Sequence, residues 1–98
     1  MYILEVMSGP LDGKTWEFEQ EIVIGRDDAV AGACITLDRY ISRKHAVLRG
    51  TGDQVILADL SSRNGTKVVD GRAVTTETRL PLGERFVVGR TQLRVVRL

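Results

Sequence analysis

The sequence predicts an all-β fold, a β-sandwich of about eleven short strands. Apolar residues recur with period two, as strands with one buried face require. Turn signals break these runs at close intervals, and no window of helical length sustains a 3.6-residue period.

The strands follow in order from this alternation. Residues 2–7 form the first, closed by Gly9-Pro10 and Asp12-Gly13. In 14–19, Trp16 and Phe18 alternate with Thr15, Glu17 and Glu19. A third strand covers 21–25, and an Ala- and Gly-containing loop, Asp27–Ala33, leads to a fourth over 34–37. Strands over 45–50 and 53–59 flank Gly50-Thr51-Gly52-Asp53, with Val55 and Leu57 on one face. Asn64-Gly65 and Asp70-Gly71 precede short strands at 66–69 and 72–74; such pairs tolerate positive φ and close tight turns. Residues 78–80, 85–89 and 91–97 complete the set, with Phe86 and Val88 on one face and Leu93 and Val95 on another. Ninety-eight residues without repeat, linker or low-complexity tract read as a single domain, residues 1–98.

Composition excludes several classes. There is no 18-residue apolar run to insert in a membrane, and Met1-Tyr2-Ile3-Leu4-Glu5 lacks the character of a signal peptide. One cysteine, Cys34, and one histidine, His45, cannot build a Cys/His zinc site or an internal disulfide. No metal or other cofactor is expected, and a reducing, cytoplasmic setting fits. The net charge of +1 lacks the basic surplus of a nucleic-acid binder. Positive charge is local instead: Arg39, Arg43, Lys44, Arg63 and Lys67 lie in two stretches free of acids. That pattern suits a compact anion.

Two catalytic readings fail on their own mechanics. Gly9-Pro10-Leu11-Asp12-Gly13-Lys14-Thr15 approaches a P-loop, but three residues separate its glycines where four are needed. The alternating Trp16-Glu17-Phe18-Glu19 that follows opens no helix, so the segment reads as a hairpin turn. His45, Ser62 and Asp59 supply the residue types of a hydrolase triad, yet no Gly-x-Ser-x-Gly elbow is present. A structural histidine and an Asp59 loop anchor are the simpler reading. Trp16 reads as core or partly covered sheet surface, Cys34 as a small buried residue, and Thr75-Thr76-Glu77-Thr78 as a polar hairpin loop.

A phosphate near neutral pH carries roughly −1.5 to −2 charges and needs guanidinium forks, hydroxyls and loop amides. Arg26, Ser42, Arg43, Arg63, Asn64 and Thr66 supply such groups, each at a strand end. Gly25-Arg26, then Ser42-Arg43-Lys44-His45, then Asp59-Leu60-Ser61-Ser62-Arg63-Asn64-Gly65-Thr66 resembles, in order and spacing, the forkhead-associated (FHA) domain. Leu80–Gly89 resembles that family's late strand pair.

The resemblance implies an eleven-stranded sandwich with its functional loops at one end, which bind phosphothreonine-containing peptides or proteins, serine/threonine kinases or their substrates, without catalysis. It implies that Arg26 and Ser42 hold the phosphate, that Arg43 and Arg63 add contacts, and that Asn64 bonds the peptide backbone. Gly25, His45, Gly65 and Thr66 would shape and brace the loops. The competing reading for Arg43 and Arg63 is pairing with surface acids, with phosphate contact favoured. A phosphorylation-independent interaction module on the same fold is the alternative. One departure stands out: Lys67-Val68-Val69-Asp70-Gly71 is one residue longer than the usual pattern and carries Asp70 for Asn. In this reading that loop flanks the peptide groove and bears on selectivity.

Overall fold

The computed structural model describes residues 1–98 and contains eleven strands and no helix. They are β1 (Tyr2–Val6), β2 (Thr15–Phe18), β3 (Glu21–Gly25), β4 (Ala33–Cys34), β5 (Ala46–Gly50) and β6 (Gln54–Asp59), followed by β7 (Thr66–Val68), β8 (Ala73–Val74), β9 (Thr78–Pro81), β10 (Arg85–Val88) and β11 (Thr91–Arg97). Two sheets stack face to face. One has the order β2-β1-β11-β10-β7-β8, the other β4-β3-β5-β6-β9. All pairings are antiparallel except the two-residue parallel bridge between β3 and β4.

Alternation along each strand decides which side chains enter the core. In β1, Tyr2, Leu4 and Val6 point inward; in β11, Leu93 and Val95 do the same. Opposite them lie Ile22, Ile24, Leu48, Val55, Leu57 and Leu80 of the second sheet. A one-residue slip would turn each set to solvent, so the pattern fixes the register. Phe86, fully buried in β10, is the bulkiest of the completely covered side chains. Tyr2 and Phe18 stack with centroids 5.3 Å apart and seal one margin of the core.

The expected strands are present, with ends trimmed by a residue or so. The fourth is the main difference: it covers 33–34 and not 34–37, pairing with β3 only at Ala33 and Cys34 before a last bond from the Ile35 amide to the Gly25 carbonyl at 2.8 Å. Cys34 is half-buried, a correction to the buried position expected of it. It sits on an edge strand, where no neighbour covers its outer flank, and its Sγ lies 3.5 Å from the Arg26 carbonyl. Trp16 is partly buried and packs against the core from β2.

The glycine-rich segment after β1 is a hairpin loop. Three of its amides close the hairpin: Gly13 N donates to the Val6 carbonyl at 2.9 Å, Asp12 N to Gly9 at 3.1 Å and Lys14 N to Leu11 at 2.9 Å. The β7–β8 turn also departs from expectation. The Val69 amide bonds the Arg85 carbonyl, and Arg72 reaches Glu84, so this turn packs beside the β9–β10 turn. Antiparallel register puts it at the other end of β7 from Asn64, away from the donor loops. Asp70 closes it: the Arg72 amide, aided by that residue's guanidinium, holds the Asp70 carboxyl below the usual carboxylate value.

Phe86→Ala should therefore cost about 3–5 kcal/mol, the range for emptying a buried phenylalanine site. Urea unfolding reads this as a lowered midpoint; a loss under about 1 kcal/mol would contradict its place in the core.

Candidate functional site

Three segments meet at one end of the sandwich: the stretch after β3, the stretch before β5, and the β6–β7 loop. Their meeting begins with backbone contacts. The Arg26 amide donates to the Ser42 carbonyl at 3.1 Å and the His45 amide to Ile24 at 2.9 Å. Gly25 makes the approach possible. A Cβ there would lie 2.0 Å from the Arg43 carbonyl oxygen, so no side chain fits between these segments.

His45 then joins the second segment to the third. The ring is fully buried. The Ser42 amide donates to Nδ1 at 2.9 Å, and since an amide only donates, Nδ1 is the acceptor. Nε2 therefore carries the hydrogen and donates to the Gly65 carbonyl at 2.8 Å. Asp59 Oδ1 lies 4.0 Å from Nε2, too far for a hydrogen bond, and the ring's nitrogens are already committed.

Asp59 builds the β6–β7 loop from within. It accepts hydrogen bonds from the Ser62 amide at 3.0 Å, from Ser62 Oγ, and from Thr66 Oγ1 at 2.8 Å. Ser62 Oγ in turn accepts from the Gly65 amide at 2.9 Å. This ties a loop in which Ser61 adopts φ of 57°, an uncommon conformation for a non-glycine residue. Partial burial pushes the Asp59 carboxyl up, but the hydrogen bonds from Ser62 and Thr66 outweigh it and hold the pKa below the usual value. No hydrogen bond joins Ser62 to His45, so these three residues form a brace and not a nucleophile–base relay.

The outward groups rest on this brace. Ser42 Oγ accepts the Arg63 amide at 3.0 Å and keeps its own proton free for an incoming acceptor. Arg26 Nε donates to the Ile41 carbonyl at 3.0 Å, which aims an exposed guanidinium. Asn64 Nδ2 donates to the Tyr40 carbonyl at 2.9 Å, leaving one amide hydrogen and Oδ1 unused. Arg43 and Arg63 are exposed. Neither forms an ion pair, and nor do Arg26 or Lys44, so pairing with surface acids is not their role.

The structure thus gathers Arg26, Ser42, Arg43, Arg63 and Asn64 at one end, over a layer made by Gly25, His45, Gly65 and Thr66. Sequence reasoning missed Tyr40 and Ile41, whose carbonyls orient Asn64 and Arg26. Main-chain acceptors leave no mark on residue type. Asp38 was also missed; it accepts the Tyr40 amide at 2.9 Å and so shapes the same segment.

Comparison with known proteins agrees with this architecture. The FHA domain family model matches residues 22–89. The chain belongs to the FHA domain family. It is similar to the FHA domain of the CT664 protein from Chlamydia trachomatis, at 27% identity and a TM-score of 0.88, covering 99% of this chain and 97% of that one. A second FHA structure, from work on phosphothreonine-dependent FHA domain interactions, is 30% identical with a TM-score of 0.83, over 99% and 96% of the two chains. A third, the FhaA FHA domain complexed with the intracellular domain of Rv3910, is 29% identical with a TM-score of 0.79, over 97% and 99%. Comparison with curated proteins returns no match.

Since Asp59 has a lowered folded-state pKa, its stabilisation is complete above the unfolded value and is lost as pH falls through the folded one. Asp59→Asn should cost about 1–3 kcal/mol at pH 7. The gap from wild type should shrink below roughly pH 4, where aspartates protonate. Urea midpoints across pH 7 to 2 measure this; a gap independent of pH would refute the assignment.

Proposed function

We propose that this FHA domain is a phosphothreonine-dependent protein–protein interaction module that recruits targets of serine/threonine kinases. The observation that carries the reading is the cluster of Arg26, Ser42, Arg43, Arg63 and Asn64, outward-facing and unpaired by any acid. A phosphate ester supplies the missing partner, roughly −1.5 to −2 charges and three acceptor oxygens on one compact group. Arg26 and Ser42 hold the phosphate; Arg43 and Arg63 add charge at its rim. Asn64, with one donor and one acceptor still open, bonds the peptide backbone beside the phosphothreonine.

Preorganisation supports the same reading. His45 and Asp59 hold the loops before any ligand arrives, so little ordering remains to oppose binding. In this reading the domain performs no chemistry and needs no cofactor, and nothing in it favours nucleic acid or a membrane. The ligand is a kinase or its phosphorylated substrate. Such a role places the module in the cytoplasm, and the unpaired thiol of Cys34 agrees with a reducing compartment. The relative studied for phosphothreonine-dependent interactions lends support by its 30% identity.

Each charge-assisted hydrogen bond to phosphate contributes about 1.5–3 kcal/mol. Arg26→Ala or Ser42→Ala should therefore weaken phosphopeptide binding about tenfold to a hundredfold with the fold retained, as titration calorimetry and circular dichroism would show. Phosphatase treatment of the ligand should abolish binding; undiminished binding would favour phosphorylation-independent recognition on the same fold. Matched phosphoserine peptides should bind more weakly by roughly 1–3 kcal/mol, the value of one methyl in a fitted pocket. Equal affinity for both would remove threonine selectivity from the reading.

A further inference from the structure

The threonine-rich segment between β8 and β9 takes no part in the donor cluster, yet the topology brings it to the same end of the sandwich. β8 runs antiparallel to β7 with Val74 opposite Thr66, the residue that follows Asn64-Gly65. β9 starts with Thr78 opposite Leu57, just before Asp59. Residues 75–77 therefore cross from one sheet to the other beside the β6–β7 loop, which carries Arg63 and Asn64.

This short loop is held at its ends and open between them. Val74 is buried. Glu77 Oε2 accepts from Arg49 Nη1 at 2.9 Å, and Arg49 Nε donates to Glu21 at 3.2 Å, so an ion-pair bridge ties the loop to β5 and β3. Thr75 and Thr76 are exposed. No main-chain hydrogen bond involves Thr75, Thr76 or Glu77. Thr76, the middle residue, thus presents its hydroxyl between free amides and carbonyls. Once phosphorylated it would carry what the donor cluster is arranged to read: a phosphate for Arg26 and Ser42, and main-chain groups for Asn64.

The site of the same chain is out of reach. β8 and β9 are edge strands, next to β7 and β6. β5 and β3, whose ends carry Ser42 and Arg26, lie beyond β6. At about 4.8 Å per strand, Ser42 stands roughly 10 Å from the line of β9 and Arg26 roughly 14 Å. The β6–β7 loop stands between them, and a three-residue loop anchored on both sides cannot cross that gap.

We propose that Thr76 is a phosphorylation site whose phosphate is bound by the donor cluster of a second copy of this chain. This rests on the phosphothreonine reading above. A serine/threonine kinase transfers the γ-phosphoryl group of a nucleoside triphosphate to Thr76 Oγ1. The new O–P bond forms as the bond to the bridging oxygen breaks, the nucleoside diphosphate leaves and the hydroxyl proton is released. Because cluster and threonine share one end of the molecule, two copies meeting end to end each present a phosphate to the other. The contact is isologous and closes as a dimer. Its two linked contacts hold it more tightly than either would alone.

The test is sedimentation velocity on the chain prepared with phosphothreonine at position 76. Unmodified chain should be monomeric; the phosphorylated chain should form a dimer that phosphatase dissolves. Arg26→Ala phosphorylated at Thr76 and unmodified Thr76→Val should each stay monomeric alone. Both substituted side chains are exposed, so the core is untouched. Mixed, the two variants should form a one-to-one pair, since one supplies the phosphate and the other the site. That pair should be roughly a hundredfold weaker than the dimer, because one contact replaces two. A degenerate phosphothreonine peptide library, titrated into unmodified chain, separates the remaining outcomes. Library binding with a phosphorylated chain that stays monomeric would overturn the inference and leave the functional reading standing. The same holds if the phosphorylated chain dimerises without Arg26, grows beyond a dimer, or fills its own site as a monomer that no longer binds the library. Absence of both library binding and dimer would overturn the functional reading, and the inference with it.

Discussion

The site depends on one buried imidazole. His45 takes the Ser42 amide on one nitrogen and gives its hydrogen to the Gly65 carbonyl on the other, with no exposure to water. Those two bonds set the spacing between the loop that carries Ser42 and Arg43 and the loop that carries Arg63 and Asn64. A polar group in that position must be satisfied on both sides, or it costs about as much as a lost hydrogen bond. The demand for satisfaction is what makes the ring a rigid spacer. Asp59 completes the arrangement from below by collecting Ser62 and Thr66, and Gly25 lets the third segment close against the other two.

Charge is segregated on this scaffold in a way that the net value of +1 conceals. Away from the donor loops, four arginines meet acids. Arg49 pairs with Glu21 and Glu77, Arg72 with Asp70 and Glu84, Arg94 with Glu5, and Arg97 with Asp53. At the loop end Asp27, Asp38 and Asp59 bond loop donors instead. Asp27 accepts the Ala29 amide, Asp38 the amides of Tyr40 and Arg90, and Asp59 the groups of its own loop. Carboxylates satisfied by backbone and hydroxyl donors leave the nearby guanidinium groups without protein partners. The result is a local positive field on a nearly neutral domain, which favours a compact anion over an extended one.

The strands were legible because alternation is a direct image of a half-buried sheet, and Leu4, Val6, Phe86, Val88, Leu93 and Val95 occupy the faces their spacing implies. The donor residues were legible because their side chains are the chemistry. What escaped had no such signature. Cys34 looked like a buried small residue, yet only its place on an edge strand decides how much of it is covered. The Lys67–Gly71 segment looked like a wall of the groove; antiparallel register of β7 against β10 carries it toward Arg85 instead. Tyr40 and Ile41 contribute main-chain carbonyls.

Sequence by itself determined the period of burial, the sites where the chain must turn, and the donors that a phosphate would need, because each is a property of residue type and local spacing. Tertiary structure alone decided which loops share an end, how far apart the donors stand, and which acids remain free to cancel them. Those are set by contacts between residues far apart in the chain, such as His45 with Gly65, Ser42 with Arg63, and Asp38 with Arg90, and no local pattern encodes a contact of that kind.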